Sequence, residues 1–245
     1  MDTEEISHHP KEQLEKLHRH NPNARWLIDN PSYETVKWCV RKNIRAVAYG
    51  GTMKRIKIPC VGSSLSGLLM QTHQYFQSIG HKRIVHLIER PSEISINIYE
   101  RYLKKQHLTF RKNYHLPNID EITAKGFHKM LEGLFSITPP TAIMVSSNRQ
   151  LIGLLGFCIQ HNIKIAEDLS VVISKDSMNI DWFTPGLSYY RRAWERETQE
   201  LSNLIEHYPA NLPEILNVPL QLVNKGSIIP LKKGSSSSRR SHRRD

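Results

Sequence analysis

Leu65, Leu68, Leu69, Thr72, His73, Phe76 and Ile79 recur at three- and four-residue spacing, so one face of a helix about four turns long is apolar. The apolar run Ile58–Val61 just before it predicts a short strand. Gly80 stands where a helix needs a left-handed residue to stop, and His81, Lys82 and Arg83 are expected to set positive charge beside the negative helix end. Ile84, Val85, Leu87 and Ile88 then form a mostly apolar run, broken at Pro91-Ser92, as a parallel strand covered on both faces requires.

The same grammar returns further on. Ala142-Ile143-Met144-Val145 reads as a buried strand, Ser146-Ser147-Asn148 as an N-cap cluster, and Leu151, Leu154, Leu155, Cys158 and Ile159 as a helical stripe closed by Asn162. A turn at Ala166-Glu167-Asp168 leads into a strand from Leu169 to Ile173. Between the two segments the pattern predicts a helix at about Ser95–Lys105, a strand at Phe110-Arg111-Lys112-Asn113-Tyr114, and a helix at about Ile119–Phe135. Strands alternating with helices imply an α/β fold with a parallel sheet flanked by helices, whose ligands bind outside the carboxyl ends of the strands.

Composition narrows the class. The chain has 245 residues, enough for one large domain or two smaller lobes. It contains no apolar run of about 18 residues, and Met1–Pro10 is polar and acidic rather than a signal peptide. A cytoplasmic protein without membrane contact is expected. Cys39, Cys60 and Cys158 sit inside apolar patterns with no CxxC, and read as reduced core thiols. The net charge of +11 would point to nucleic acid, but six of the cationic residues lie beyond Leu231, in a Gly/Ser-rich segment. Residues 231–245 are therefore expected to form a disordered basic tail, solvated or at most a weak, sequence-blind phosphate-binding arm.

Taken jointly, several short motifs resemble the effector-sensing part of LacI/GalR-type transcription regulators, whose fold is that of the periplasmic sugar-binding proteins. They are Ile58-Pro59-Cys60-Val61, Gly80-His81-Lys82-Arg83-Ile84, Pro140-Thr141-Ala142-Ile143 with Ser147-Asn148, Glu167-Asp168-Leu169-Ser170-Val171-Val172, and Pro185-Gly186-Leu187. Within that family the chain resembles a bacterial subgroup through Trp26-Leu27-Ile28, the segment Ser32–Trp38, and Tyr189-Tyr190-Arg191-Arg192. The resemblance implies two lobes joined by three crossings, near Gly62–Ser64, Ser188–Arg191 and Val218–Leu220. Residues 1–63, completed by 191–219, would form an N-terminal lobe. Residues 64–190, completed by 220–230, would form the C-terminal effector-binding lobe. The N-terminal lobe would comprise helices at about Lys11–His20, Tyr33–Lys42 and Trp194–Glu206 with strands at Arg25–Ile28 and Arg45–Tyr49. It lacks two strand-helix units that the family normally carries, so it is expected to be incomplete. The resemblance also implies DNA contact through a winged-helix or helix-turn-helix domain absent from this chain. Two accounts of the short lobe stand: a start codon placed too far downstream in a longer gene, or a truncated remnant.

Candidate chemistry is sparse. No Walker A, GxSxG or GxGxxG frame occurs, and no nucleophile-base pair emerges, so no enzyme and no cofactor is expected. Among thirteen histidines, His8-His9 and His18-Arg19-His20 are the tempting metal pairs, but HxH on a helix splays its ligands, and no metal site is expected. The pairs Glu4-Glu5, Asp120-Glu121 and Glu167-Asp168 read as helix starts and turns. Carried over by resemblance, the family's cleft positions hold Ser95, Ser147, Asn148, Lys175 with Asp176, and Ser64. The Arg and the carboxylates that hydrogen-bond sugars are mostly missing. Ser64, Ser95, Ser147, Asn148, Lys175, Asp176 and Trp182, whose ring can stack on a sugar face, are the candidate ligand-binding residues. Each also has an ordinary reading as cap, turn or core.

The expectation is the ligand-sensing domain of a regulator, homodimeric, controlling DNA binding in response to a small sugar-like or anionic effector. Neutral hexoses are expected to bind poorly. Its rivals are a stand-alone small-molecule binding protein and a non-binding remnant.

Overall fold

The computed structural model describes residues 10–50, 58–119, 123–176, 182–184, 186–208 and 215–231. The expected tail, the pairs Glu4-Glu5, His8-His9 and Asp120-Glu121, and Pro185 lie outside them. The chain divides into two compact units, one running to Ser64 and resuming at Ala193–Pro219, the other made of Leu65–Arg192 and the chain from Leu220.

In the first unit, helix α1 (Pro10–His20), strand β1 (Trp26–Asp29), helix α2 (Tyr33–Arg41), and strands β2 (Ala46–Tyr49) and β3 (Cys60–Gly62) precede helix α8 (Trp194–Glu206) and strand β8 (Ile215–Asn217). Four strands form a parallel sheet in the order β1-β2-β3-β8. Alternation along β2 decides which helix covers which face. Ala46 and Ala48 pack with Leu14, Val36 and Cys39 on one side, and Val47 packs with Leu204 and Val218 on the other. Ser32 caps α2, its hydroxyl accepting from the Thr35 N–H. Trp38 donates from Nε1 to Glu15 at 3.0 Å, tying α2 to α1, and Lys42 pairs with the same carboxylate at 3.0 Å.

The second unit contains α3 (Leu65–Ser78), β4 (Ile84–Leu87), α4 (Glu93–Lys105), the single turn α5 (Lys112–His115), α6 (Ala124–Ile137), β5 (Ala142–Val145), α7 (Asn148–Gln160), β6 (Ser170–Ile173), β7 (Ser188–Arg191) and β9 (Gln221–Val223). Its sheet runs β4-β5-β6-β7-β9, parallel except for the antiparallel β7-β9 pair, with β4 at one edge. Every residue of β4, β5 and β6 is buried. Val85, Leu87, Ile143, Val145, Val171 and Ile173 face α6 and α7, while Ile84, Met144 and Val172 face α3 and α4. This two-sided burial is why these strands read as unbroken apolar runs rather than alternating ones.

Two expectations are corrected. Phe110–Tyr114 forms no strand: its second half winds into α5, because the His115 imidazole turns back on the Arg111 backbone and stacks on Phe110 at 5.8 Å. Among the described residues, no strand pairs with β4 on its outer side. His81 does not serve the α3 terminus as a cation. Gly80 does stop the helix with φ of +97°, but His81 is buried, its Nε2 facing the Ile229 carbonyl and its Nδ1 the Thr141 hydroxyl, each at 3.0 Å. Burial lowers its pKa, so it is a neutral cross-link between β4, β5 and the returning C-terminal chain.

A polar cluster at the carboxyl edge of the second sheet

The carboxyl ends of β4, β5 and β6 lie side by side. Ser146 donates its N–H to the Leu87 carbonyl and Ser174 to that of Val145, so the residues just after each strand form one row. Parallel strands meeting helix N-termini expose unpaired backbone N–H groups at this edge, which is where such sheets bind ligands.

Glu89 is the centre of the row. Its Oε1 accepts from the Ser147 hydroxyl at 2.9 Å, from Arg149 at 2.9 Å and from Gln150 Nε2 at 3.4 Å. The Ser147 and Arg149 bonds hold its carboxyl below the usual carboxylate range. Arg149 is largely exposed, so its ion pair orients the carboxylate more than it stabilises the fold. Ser147 is the N-cap of α7 in a complete capping box with Gln150, and Gln150 Oε1 also accepts from the Ser146 N–H at 2.8 Å.

The seven candidates divide. Ser147, Asn148, Lys175 and Asp176 share the carboxyl edge, the last three with exposed side chains. Ser95 lies in the first turn of α4, its hydroxyl 2.9 Å from that of the N-cap Ser92. Ser64 follows β3 in the first unit, its N–H bonded to Asn217 Oδ1 at 3.2 Å. Trp182 is 86% exposed. Glu89, Arg149 and Gln150 were not among the candidates. Glu89 sits two positions after an apolar strand, at the carboxyl edge where ligands of such sheets are expected, and that position is the signal that could have found it.

A periplasmic binding protein-like domain model matches residues 73–228. The chain belongs to the periplasmic-binding-protein-like domain family. Solved structures with this fold include a transcriptional regulator LacI of Bacillus cereus subsp. cytotoxis, with a TM-score of 0.64 and 17% identity over 95% of this chain and 86% of that one. A LacI family transcriptional regulator of Bifidobacterium animalis subsp. lactis gives 0.65 and 16% over 93% and 86%. The regulator CCPA of Weissella paramesenteroides, solved with bound sucrose, gives 0.62 and 14% over 91% and 85%. No curated protein matches the sequence. The family's α/β architecture, with parallel sheets flanked by helices, is the one described above. Among the described residues, no three His, Cys, Asp or Glu side chains are grouped to hold a metal ion, and no helix is long and apolar enough to cross a membrane.

Proposed function

We propose that this chain is the ligand-sensing part of a LacI/GalR-like transcription regulator, in which a small molecule at the carboxyl edge of the second sheet alters DNA binding. The observation that supports it is the family match over 73–228, on a fold shared with regulators of which one was solved holding sucrose. The effector-binding lobe is the unit built on β4–β7 and β9. Glu89, prearranged and ionised, offers acceptor oxygens to hydroxyl or amine groups, while Asn148, Lys175, Asp176 and the Trp182 ring contribute polar and stacking contacts. DNA contact is the work of a module other than the two α/β units. The effector acts by its different affinity for two arrangements of a cytoplasmic homodimer.

The test is calorimetry and thermal shift of the chain against neutral sugars, sugar phosphates and small acids, repeated in Lys175→Ala, Glu89→Gln and Trp182→Ala. Any hit is then added to a gel-shift assay of the chain fused to a helix-turn-helix module of known operator. A hit weakened at least about tenfold by one substitution, and changing operator affinity, is the expected result. A ligand indifferent to all three substitutions, or one without effect on the operator complex, refutes the reading.

A further inference from the structure

At the opposite, amino-terminal side of the same sheet lies a cavity of about 840 Å3. It lies between the end of α3, the second half of α6 and the Leu108–His115 segment that turns helical instead of pairing with β4. Its volume is that of a small-molecule site, for which about 300–1,000 Å3 is usual. Apolar side chains, Met130 and Ile137 among them, line it, and Ile137 is 84% exposed although apolar.

The charge of the lining has one sign. Lys82, Arg83 and Arg111 stand in the wall with exposed side chains, no Asp or Glu lines it, and none of the three forms a salt bridge with a described residue. Tyr114 also lines the wall.

We propose that this cavity is a second small-molecule site, separate from the carboxyl-edge cluster, that takes an organic anion: an acidic headgroup held by Arg83, Arg111 and Lys82, on an apolar body lying against Met130 and Ile137.

The probe is 2-naphthoate, compared with the uncharged 2-naphthamide of similar shape, by calorimetry on the full chain. The acid is expected to bind about tenfold more tightly than the amide, as two or three charge-assisted contacts imply. A Lys82→Gln/Arg111→Gln double variant leaves the Arg83 bond to the Pro139 carbonyl in place, and so keeps the local fold. It should bring the acid to within about twofold of the amide. Gly133, whose added Cβ meets nothing within 4 Å, lines the cavity from α6. Gly133→Leu should abolish binding of both probes without lowering the melting temperature, since leucine favours the helix over glycine. Equal affinity for acid and amide, no acid binding at about 1 mM, or unchanged binding in folded Gly133→Leu would each overturn the proposal.

Discussion

Acidification should unfold the second unit through its buried imidazoles. His73, on α3, lies with its Nδ1 2.7 Å from the Tyr99 hydroxyl, which is 3.0 Å from Nε2 of His86 on β4. All three side chains are buried. Burial and the neighbouring His115 push the His73 pKa down to about 4, and burial first, then His73 and His115, hold that of His86 well below its usual value. The unfolded chain takes up these protons from about pH 6.5 downwards while the folded chain does not, so stability is present above that pH and lost as pH falls towards the folded value. Each excluded proton costs about 1.4 kcal/mol per pH unit. Between about pH 6.5 and 5, His73 and His86 together remove about 3 kcal/mol, a large part of an ordinary domain's stability. His81 and His115, both shifted down by burial, act in the same direction. The carboxylates of Glu15 and Glu89 are shifted down too, so their contribution is lost only at lower pH and does not confuse this window. Urea unfolding followed by far-ultraviolet circular dichroism at about pH 7, 6 and 5 measures the effect. His86→Phe should flatten the pH slope by about one proton, because the Tyr99 hydroxyl can still donate to His73. Equal unfolding free energies at pH 7 and pH 5, or an unchanged slope in the His86 variant, would refute the reasoning.

Three further outcomes are expected. Tyr99→Phe should cost about 2–3 kcal/mol and lower the melting temperature by about 5–10 °C, measured by calorimetry; His86 Nδ1 is already buried without a partner, so neither imidazole tautomer can then place its N–H. Ser147→Ala should cost about 1–2 kcal/mol in urea unfolding, and the Glu89 carboxyl pKa, followed by NMR, should rise as its strongest partner disappears. Gly80→Ala should destabilise by about 1–3 kcal/mol, since the residue has φ of +97° and an added Cβ would lie 2.8 Å from the Leu231 carbonyl oxygen; a melting curve equal to that of the parent would contradict it.

Most of the architecture was legible along the chain. The helical stripes of α3 and α7, the apolar runs of β4, β5 and β6, and the cap at Ser147 are each decided by residues within one element, and those elements appear where the pattern places them. The motif set was enough to indicate the family, because it depends only on order and spacing. The polar row was half legible: strand ends and caps are local, and so Ser147 and Asn148 stood out, but the convergence of Ser147, Arg149 and Gln150 on Glu89 needs β4 beside β5.

What the tertiary structure alone decided follows from contacts distant in sequence. Phe110 and Tyr114 are strand-forming residues, yet a strand needs a partner, and the His115 ring offered the backbone a local bond instead. His73 and His86 occupy positions that periodicity can only mark as inward-facing. Whether such a histidine is a ligand, a cation or a neutral link depends on what lies opposite, and here it is the Tyr99 hydroxyl, 26 residues from one and 13 from the other. Sequence pattern fixes which way a side chain points within its own helix or strand, whereas the polarity of its surroundings, and with it charge state and chemistry, is set by the elements that pack against it.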